Sequence, residues 1–564
     1  LLGSGTAGYT KAINSTNTGS VNLTVSNAKT SGAGTVVTLG DGSNTVTLRS
    51  SMNDTVTGGT GSDTVILGVG AGSSFGTNTI DLGTGADVLS FDVAGVAETA
   101  GIIINVGSSD AFLNGKTGGT ANADELVGAF KAYGRSNDDG NIGSGVTTFA
   151  NAERFVGTDQ ADVMISGSTG ANMNGAAGDD VINGGTGGDT ITGGEGRDTI
   201  TAGAGDDTIN YTSSAADGND SIDGGTGVDT LAVAGGQTVV ITNNDALLAN
   251  VENITIGNSG SVTLSGQAEA FTITGGGGAE TITGGDGADT INAGLGNDVL
   301  TGGFGADVLN GEAGVDTVSY ADVTLSTSHG LTNLSGVAVN LSSAAIAAAT
   351  VTTGTSLLGG GAAGAVGVDL AANTAGYLAT AGNNTVAAGV RDTLTGIEAV
   401  TGSALGDFIA LGAGGMSAAG GAGADVLIGG SGADTIDGGA GADVVLIAGA
   451  SFEHVSGEVI TGGDGTDTIR FTSTSAGTLT LQAGVTGVEE IEISDAAGLN
   501  TLLTAESINA SALTYGVILT GNDGANTLTG SAFADNFAAG VGNDTIVANG
   551  TDTVDGGAGD DVMT

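Results

Sequence analysis

A nine-residue repeat constrains the fold of this chain more than any other feature of its sequence. Contiguous copies fill residues 175–210, and each follows, with small variations, the pattern G-G-x-G-x-D-x-U-x, in which U is a large aliphatic residue. The sixth positions, Asp180, Asp189, Asp198 and Asp207, are nine residues apart. A short period in strict register is typical of a solenoid, in which each repeat packs only against its neighbours.

The same pattern returns along much of the chain. A second run has Asp289, Asp298, Asp307 and Asp316 at the sixth position, with Glu280 in phase before them, and a third run has Asp425, Asp434 and Asp443. Shorter runs hold Asp54 and Asp63, Asp220 and Asp229, Asp535 and Asp544, and Asp552 and Asp561, and isolated copies hold Asp87, Asp162, Asp407 and Asp467. A chance match in a glycine-rich chain does not explain contiguous copies in register.

Each nonamer divides into a turn and a short strand. The glycine-rich half can turn sharply, because glycine reaches backbone angles that other residues avoid, and it leaves backbone carbonyls accessible. The Asp places a carboxylate at the end of the turn. In the x-U-x half, the aliphatic residue, such as Ile191 or Ile200, is expected to point inward while its polar neighbours point outward. Carbonyl and carboxylate oxygens together suit Ca²⁺, which takes 6–8 oxygen ligands.

These nonamers closely resemble the repeats of the RTX (repeat-in-toxin, haemolysin-type) calcium-binding family. The resemblance implies an all-β fold, a right-handed parallel β-roll or β-solenoid in which two nonamers form one coil, so that Asp180 stacks over Asp198. It also implies that each ion takes Asp carboxylates and turn carbonyls, as from Asp189 with Gly185 and Gly187. Carried over to the matching positions, the implied ligands are the Asp residues given above and Gly178, Gly185, Gly187, Gly194, Gly196, Gly285, Gly287, Gly294, Gly296, Gly303, Gly305, Gly421, Gly423, Gly430, Gly432, Gly439 and Gly441.

Three departures from the pattern weaken individual predicted sites. Glu280 and Asn526 stand where the pattern has Asp, and Asp544 and Asp552 are eight residues apart, so that the register slips there. If each ion takes one or two of the carboxylates, the chain binds on the order of ten to twenty Ca²⁺ ions.

The charge of the chain is consistent with bound cations and excludes several partners. There are 61 Asp and Glu against 10 Lys and Arg, which gives a formal net charge of -51. Such a chain repels itself when folded, and bound cations would relieve the repulsion. The acidity argues against nucleic acid, which requires a basic surface, and against an anionic membrane surface. Collagen is excluded because the 110 glycines have no three-residue period and there is no Pro.

The repeats and the segments between them predict the following division of the chain. Residues 1–90 form an N-terminal β-solenoid with the first repeats, 91–157 an insertion with a short helix, 158–232 a repeat cluster, 233–274 a β connector, 275–320 a repeat cluster, 321–406 an insertion, 407–471 a repeat cluster, 472–520 a β connector, and 521–564 a truncated set of repeats. No signal peptide is visible, and both ends look cut from a longer protein. No apolar stretch reaches the roughly 18 residues of a membrane span.

The two insertions carry separate predictions. In the first, Asn122 as the cap, Glu125 at the capping-box position and Gly134 at the end predict a short helix. This helix would cover the side of the solenoid or contact a partner. In the second, residues 336–373 carry no charge except Asp369. They predict either an inserted loop or a sheet face that is exposed for assembly, and the sequence leaves both open.

The sequence predicts no active site, and we therefore expect a protein that is not an enzyme. The two histidines, His329 and His454, form no H-E-x-x-H motif. A G-x-S-x-G match at residues 72–76 has no histidine nearby in the sequence. Residues 115–117 lack the preceding glycine of a phosphate-binding loop, since Asp110 stands in its place.

The combination of calcium repeats, Ala/Gly/Ser/Thr-rich strands, few Lys and no Cys resembles the RTX-containing surface-layer proteins of Gram-negative bacteria. That resemblance implies type I secretion to the cell surface and a calcium-dependent structural protein, a surface-layer subunit or matrix protein that assembles into a lattice or filament. An anchor to a cell-surface polysaccharide would lie outside this segment. Two alternatives stay open: an RTX adhesin or biofilm protein, and the RTX tail of a secreted hydrolase or toxin whose catalytic domain lies elsewhere.

Overall fold

A computed structural model places most of the chain in two compact units, Leu1–Ser261 and Val262–Thr564. The structure describes residues 10–12, 19–20, 22–26, 34–49, 53–68, 78–91, 102–105, 131–135, 142–150, 152–167, 169–211, 220–241, 247–323, 334–341, 374–379, 385–448, 454, 456–495 and 498–564.

The first unit consists of short strands. They are β1 (Thr10–Ala12), β2 (Asn22–Ser26), β3 (Val36–Thr38), β4 (Thr45–Arg49), β5 (Thr55–Thr57), β6 (Thr64–Leu67), β7 (Thr79–Asp81), β8 (Val88–Ser90), β9 (Ile102–Asn105), β10 (Lys131–Arg135), β11 (Ile142–Ala150), β12 (Arg154–Val156), β13 (Val163–Ile165), β14 (Asn172–Ala177), β15 (Val181–Asn183), β16 (Thr190–Glu195), β17 (Thr199–Ala204), β18 (Thr208–Tyr211), β19 (Ser221–Thr226), β20 (Thr230–Val233), β21 (Thr238–Val240), β22 (Leu248–Ala249) and β23 (Asn253–Ile256).

The second unit, whose first residue lies inside β24, has the same character. Its strands are β24 (Ser261–Thr263), β25 (Thr272–Thr274), β26 (Thr281–Thr283), β27 (Thr290–Asn292), β28 (Val299–Thr301), β29 (Val308–Asn310), β30 (Thr317–Ser319), β31 (Leu334–Asn340), β32 (Thr374–Ala379), β33 (Thr385–Thr395), β34 (Ala399–Thr401), β35 (Phe408–Ala410), β36 (Ser417–Ala422), β37 (Val426–Ile428), β38 (Thr435–Gly441), β39 (Val444–Ile447), β40 (Val459–Gly465), β41 (Thr468–Phe471), β42 (Thr478–Thr480), β43 (Val485–Thr486), β44 (Glu490–Ile493), β45 (Ser507–Asn509), β46 (Ile518–Thr520), β47 (Thr527–Thr529), β48 (Asn536–Ala538), β49 (Thr545–Val547), β50 (Thr553–Asp555) and β51 (Val562–Met563).

The x-U-x triplets form the strands, and their aliphatic residues form the core. In β16, Ile191 is fully buried while Thr190 and Thr192 on either side are half-buried. The alternation follows from the strand period of two, and β-branched residues suit the pleated surface. Burying one such side chain stabilises the fold by about 1.5–3 kcal/mol. The predicted inward position of the aliphatic residue is confirmed.

Within each unit, successive coils pair in parallel with the repeat in register. In the first unit, Ile191 lies opposite Met173 on one side and Ile209 on the other. In the second unit, Leu300 lies opposite Ile282 and Val318. Residues at equivalent positions of successive coils therefore stack in columns. The predicted all-β parallel β-solenoid is confirmed.

The chain of the second unit leaves the stack after β30 and returns at β33. β29 pairs with β33 and β30 with β34, so the coils on either side of the excursion are neighbours. Inside it, β32 pairs antiparallel with both β31 and β33. In the segment 336–373, whose one charged residue is Asp369, residues 337–340 are buried in β31 and so are not an exposed sheet face. Residues 342–373, including Asp369, lie outside the described residues.

The predicted short helix is wrong where it can be compared with the structure. Tyr133 and Gly134 lie in strand β10, which pairs antiparallel with β9 and with β11. These two neighbouring strands satisfy the backbone groups of β10 on both edges, and tertiary pairing of this kind overrides local helix signals. Asn122 and Glu125, at the predicted helix start, lie outside the described residues, and the described part of the chain contains no helix.

Three other predictions also fall on residues that the structure does not describe. These are the G-x-S-x-G match at 72–76, residues 115–117 with Asp110, and His329. Among the described residues, no helix is long and apolar enough to cross a membrane.

Candidate calcium sites

The turns between strands bring backbone carbonyls of neighbouring coils into contact with glycine. In the turn before Asp189, Gly185 and Gly187 have φ angles of 92° and 113°, which side-chain-bearing residues rarely adopt. A Cβ on Gly185 would lie 2.4 Å from the carbonyl oxygen of Gly167 in the preceding coil. A side chain at Gly185 would therefore strain the backbone and crowd the preceding coil, although Ala176 and Glu312 occupy the equivalent position of their turns with positive φ. Of the predicted glycine ligands, all but Gly285 and Gly287 have a positive φ.

The Asp residues at the sixth position form a ladder along each stack of turns. The backbone N–H of Asp189 donates to Oδ1 of Asp207 at 2.7 Å, and that of Asp207 donates to Oδ1 of Asp229 at 2.9 Å. In the second unit, Asp289 donates in the same way to Asp307 at 2.8 Å. One oxygen of each carboxylate thus binds the backbone of the preceding coil. The predicted stacking of Asp residues in successive coils is what produces this ladder.

The other carboxylate oxygen is often buried inside its own turn without a partner. Oδ2 of Asp189 faces the α-carbon of Gly184, where an added Cβ would lie 2.5 Å from it. Among the described residues, a buried Oδ2 without a hydrogen-bond donor is found in Asp87, Asp189, Asp207, Asp229, Asp298, Asp307, Asp316, Asp425, Asp434, Asp443, Asp467 and Asp544. Buried carboxylate oxygens normally have partners, so these atoms are candidates to bind a cation.

The electrostatics of the ladder support the same conclusion. Burial raises the pKa of Asp189 and Asp289 to about 6, well above the ordinary value. Burial together with the neighbouring carboxylate of Asp392 raises the pKa of Asp307 to about 8. Burial, and to a smaller extent Asp407 and Asp443, raise the pKa of Asp425 to about 8. A divalent cation beside these groups would stabilise their charged form.

The donor set fits Ca²⁺ when the backbone is included. In the described part of the chain, no three His, Asp or Glu side chains converge on one point, because the ladder supplies one carboxylate per turn and coil. An ion would therefore need turn carbonyls as well as carboxylates. Hard oxygen ligands of both kinds are what Ca²⁺ prefers. The ion would be held in the turns that combine an unpartnered Oδ2 with backbone carbonyls beside the glycines.

The predicted ligands are not equivalent in their environment. All predicted Asp ligands are buried except Asp220 and Asp552, which are half-buried, and Asp561, which is exposed. These three still accept a ladder hydrogen bond from Asp198, Asp535 and Asp544, respectively. The register slip around Asp552 appears as a coil of 17 residues, and the ladder continues through it.

Three predicted ligands are already satisfied by a hydroxyl residue of their own turn. Ser403 donates its N–H to Oδ2 of Asp407 at 2.5 Å and its hydroxyl to Oδ1 at 2.9 Å. Thr158 and Asp162, and Ser531 and Asp535, repeat this arrangement. In these turns a hydroxyl residue replaces the second glycine of the repeat. Their carboxylates have less need of a cation than those of the glycine turns.

Glu280 and Asn526, which replace Asp in the repeat, differ in their hydrogen bonds and in their charge. Glu280 is buried at the ladder position, donates its N–H to Asp298 at 2.8 Å, and accepts the N–H of Gly278 at 3.2 Å. Asn526 accepts the N–H of Asn522 at 2.9 Å and donates to the Asn522 side chain and to the Glu506 carbonyl. The Asn526 amide is thus bonded within the protein, and it carries no charge to attract a cation.

Sequence reasoning missed several acidic residues at ladder positions. Asp392 accepts the Asp307 N–H at 3.1 Å, and the Tyr320 hydroxyl donates to its second oxygen at 2.9 Å. Glu506 is fully buried, and burial raises its pKa to about 7. The sequence signal was available, because each of these residues stands two positions before a buried aliphatic residue, as Asp does in the repeat. The signal was overlooked because these residues do not lie nine positions from the Asp of a neighbouring repeat.

Glu458 is another missed residue, and it has a protein partner. Its Oε2 lies 3.0 Å from Nδ1 of His454, and both side chains are buried. The backbone N–H of Gln482 donates to Nε2 of His454 at 3.2 Å. Nε2 is therefore the acceptor on the ring, and Nδ1 faces the Glu458 carboxylate. His454, the histidine that lies among the described residues, therefore has a structural partner in Glu458.

Comparison with known families agrees with the geometry. The model of the RTX calcium-binding nonapeptide repeat (4 copies) matches residues 50–73, 174–209, 212–240, 256–291, 274–309, 283–318, 417–445, 520–550 and 530–563. No curated protein matches the chain. The matched ranges contain the turns in which the glycines and the Asp ladder are most regular.

Proposed function

Because the chain is an RTX calcium-binding nonapeptide repeat protein, we propose that it is a calcium-dependent structural protein of the cell surface. It acts as a surface-layer subunit or matrix protein that folds and self-assembles outside the cell, and its role is not catalytic. The observation that carries the proposal is the set of buried, unpartnered carboxylate oxygens along the turns.

The ladder makes folding depend on the cation. Without it, folding buries ionised carboxylates one above another in a chain of net charge -51, and the free energy of unfolding falls. Bound Ca²⁺ would supply the positive charge that offsets this cost, so that binding free energy becomes folding free energy. Extracellular calcium modules bind at 10⁻⁴–10⁻³ M, which fits a chain that folds after export.

Exposed aliphatic side chains on the turns support the self-assembly part of the proposal. Leu295 and Val315 have 61% and 57% of their surface exposed. They lie on stacked turns of successive coils, since the backbone of Leu295 forms a parallel β-bridge with Ala313 of the next coil. Apolar groups that stand out from such an acidic surface favour contact with another molecule. Contacts between copies of a solenoid propagate into a filament or a lattice when they do not close.

The test is a Ca²⁺ titration of the full chain with circular dichroism and light scattering, and with Mg²⁺ as the control cation. The proposal expects β-structure and large assemblies to appear together with Ca²⁺ and not with Mg²⁺. β-structure without assembly would contradict the lattice role and favour the adhesin or the hydrolase tail. A fold that forms equally in EGTA would contradict calcium dependence itself.

A further inference from the structure

Four connector coils end a stack of repeat turns with the same local structure. Each has a Glu that follows an apolar residue and precedes a strand: Glu153, Glu252, Glu398 and Glu489. In three of them, the residue two positions before the Glu has a positive φ, namely Asn250 (53°), Gly396 (60°) and Gly487 (63°). We call these four residues the corner glutamates. Their coils lack the glycine turn of the repeat.

The corner glutamates occupy the ladder position of the Asp repeat. Oε2 of Glu252 accepts the backbone N–H of Asp229 at 2.8 Å, and Oε2 of Glu489 accepts that of Asp467 at 2.9 Å. Glu153 binds the N–H of Asp87 at 2.8 Å, and Glu398 binds that of Asp316 at 3.0 Å.

The backbone repeats as regularly as the side chains. The carbonyl of Asp229 accepts the N–H groups of both Glu252 and Asn253, at 3.2 and 2.9 Å. Asp87, Asp316 and Asp467 accept the same two hydrogen bonds from their own corner glutamates and the residues that follow. Each corner glutamate is therefore the last member of a carboxylate ladder.

At two of the corners, a backbone carbonyl oxygen of the corner lies near the buried Oδ2 of the Asp. A Cβ on Gly224 would lie 2.0 Å from the carbonyl oxygen of Asn250 and 2.8 Å from Oδ2 of Asp229, an oxygen that is buried and has no hydrogen-bond partner. A Cβ on Gly462 would likewise lie 1.8 Å from the carbonyl oxygen of Gly487 and 2.6 Å from Oδ2 of Asp467. Both carbonyls come from the corner itself.

A glycine turn inside a run has the same arrangement. A Cβ on Gly184 would lie 2.2 Å from the Ala202 carbonyl oxygen of the next coil and 2.5 Å from Oδ2 of Asp189. The corner thus supplies the carbonyl that the next glycine turn supplies elsewhere. The last turn of each run therefore keeps a carbonyl and a carboxylate oxygen that could bind Ca²⁺, although no further repeat follows it.

We propose that Glu153, Glu252, Glu398 and Glu489 are calcium ligands that complete the last site of each ladder. Each site would use the corner glutamate together with Asp87, Asp229, Asp316 or Asp467. At each corner, the glutamate accepts the backbone N–H of an Asp whose own Oδ2 has no donor from the protein. A divalent cation shared by the pair provides the missing charge. This inference rests on the calcium binding proposed above.

A purely structural role for the corner glutamates makes a different prediction. If each served only to accept the Asp N–H, Gln would replace it, because the amide oxygen accepts the same hydrogen bond without the charge. If the glutamate instead supplies negative charge to Ca²⁺, its substitution by Gln would remove the ligand. Glu→Gln substitution therefore separates the two roles while it preserves the ladder hydrogen bond.

The experiment counts bound Ca²⁺ per chain by equilibrium dialysis and elemental analysis in the full-length protein. The variant E153Q/E252Q/E398Q/E489Q is expected to bind four fewer ions than the unchanged chain at a free Ca²⁺ concentration that saturates the latter. The control variant removes four exposed carboxylates that lie outside the ladders and outside the glycine turns of the predicted sites: Asp41→Asn, Asp159→Asn, Asp437→Asn and Asp555→Asn.

The outcomes are distinguishable. An unchanged ion count in the corner variant, with normal β-structure in Ca²⁺, would overturn the inference and leave the proposed function standing. An equal loss of ions in the control variant would also overturn it, since only net charge would then matter. If the unchanged chain itself binds no Ca²⁺, the proposed function fails first. If the corner variant does not fold, the single variant E252Q is expected to bind one ion fewer, and an unchanged count there overturns the inference.

Discussion

Two successive turns of one ladder, those of Asp407 and Asp425, satisfy the same carboxylate in different ways. Asp407 donates its backbone N–H to Asp425 at 2.7 Å, so the two stand one coil apart on the same ridge. In the first turn Ser403 donates two hydrogen bonds to Asp407. In the second turn Gly421 replaces the serine, and Oδ2 of Asp425 is buried without a donor.

The pKa values follow from this difference. Burial raises the pKa of both carboxyls, but the donors from Ser403 and Val337 hold that of Asp407 at about 6. The pKa of Asp425, which also has the carboxylates of Asp407 and Asp443 nearby, reaches about 8. A serine turn satisfies its carboxylate within the protein. A glycine turn leaves a carboxylate oxygen and accessible carbonyls for an ion. We therefore expect the repeat to bind calcium only where the second position carries no hydroxyl.

The largest expected effect is the pH dependence of the calcium-free chain, because many ladder carboxyls titrate together. A carboxyl whose pKa is raised on folding, such as Asp307 or Asp425 at about 8, binds protons more tightly in the folded chain. Stability in EGTA is therefore greatest below pH ~4, near the unfolded pKa, and is lost as the pH rises to about 8.

This pH dependence is measured by circular dichroism in EGTA from pH 4 to pH 9, with a Ca²⁺-saturated sample as the control. We expect β-structure in EGTA at low pH, its loss toward pH 8, and little change in Ca²⁺ above pH 6. A calcium-free chain that is more stable at pH 8 than at pH 5 would show that its glycine turns do not hold protons in place of the ion.

The second effect compares the two Asp residues directly. D425N keeps an acceptor for the Asp407 N–H but loses the charge, so it is expected to bind at least one Ca²⁺ ion fewer. D407N is expected to bind as many ions as the unchanged chain, since Ser403 already satisfies that carboxylate. Ion counting by equilibrium dialysis checks both variants. Equal losses would mean that the hydroxyl residue does not exclude calcium.

The third effect tests what glycine contributes at the second position of the turn before Asp425. Gly421 has a φ of 106°, and a Cβ there would lie 2.1 Å from the Ser403 carbonyl oxygen. G421A is expected to lower the free energy of unfolding by about 1–3 kcal/mol through backbone strain and by about 1–3 kcal/mol more through this clash. Urea denaturation in saturating Ca²⁺ measures the loss.

Gly414 provides the matched control. Its φ of 111° is similar, but a Cβ there would meet nothing within 4 Å. G414A should therefore show the backbone strain alone. If the two variants lose the same stability, the carbonyl approach between coils is not what requires glycine at position 421.

The smallest effect concerns the hydroxyl. S403A removes one hydrogen bond to the buried Asp407, which should cost about 0.5–1.5 kcal/mol and raise the pKa of Asp407 further. Urea denaturation compares it with S417A, because Ser417 is exposed on the strand β36. A difference below about 0.3 kcal/mol would show that the backbone N–H of Ser403 is sufficient to satisfy the carboxylate.

Much of this architecture could be predicted because the repeat determines it locally. The spacing of Asp189 and Asp207 predicted which residues stack, and the position of Ile191 predicted which side chain is buried. The acidic residues that lie outside regular nonamers were harder to predict. Asp392 reaches its ladder only because the chain returns to β29 after a long excursion, and no local pattern indicates that return.

The solenoid, the glycine turns and the columns of stacked Asp residues follow from the sequence alone, since each depends on neighbours within one or two repeats. The way in which each carboxylate is satisfied depends on the tertiary structure. Whether an oxygen meets Ser403, Tyr320 or no donor at all depends on which coil lies next in space. Tertiary pairing likewise placed Lys131–Arg135 in a strand instead of the expected helix, because a backbone between two strands gains hydrogen bonds on both edges.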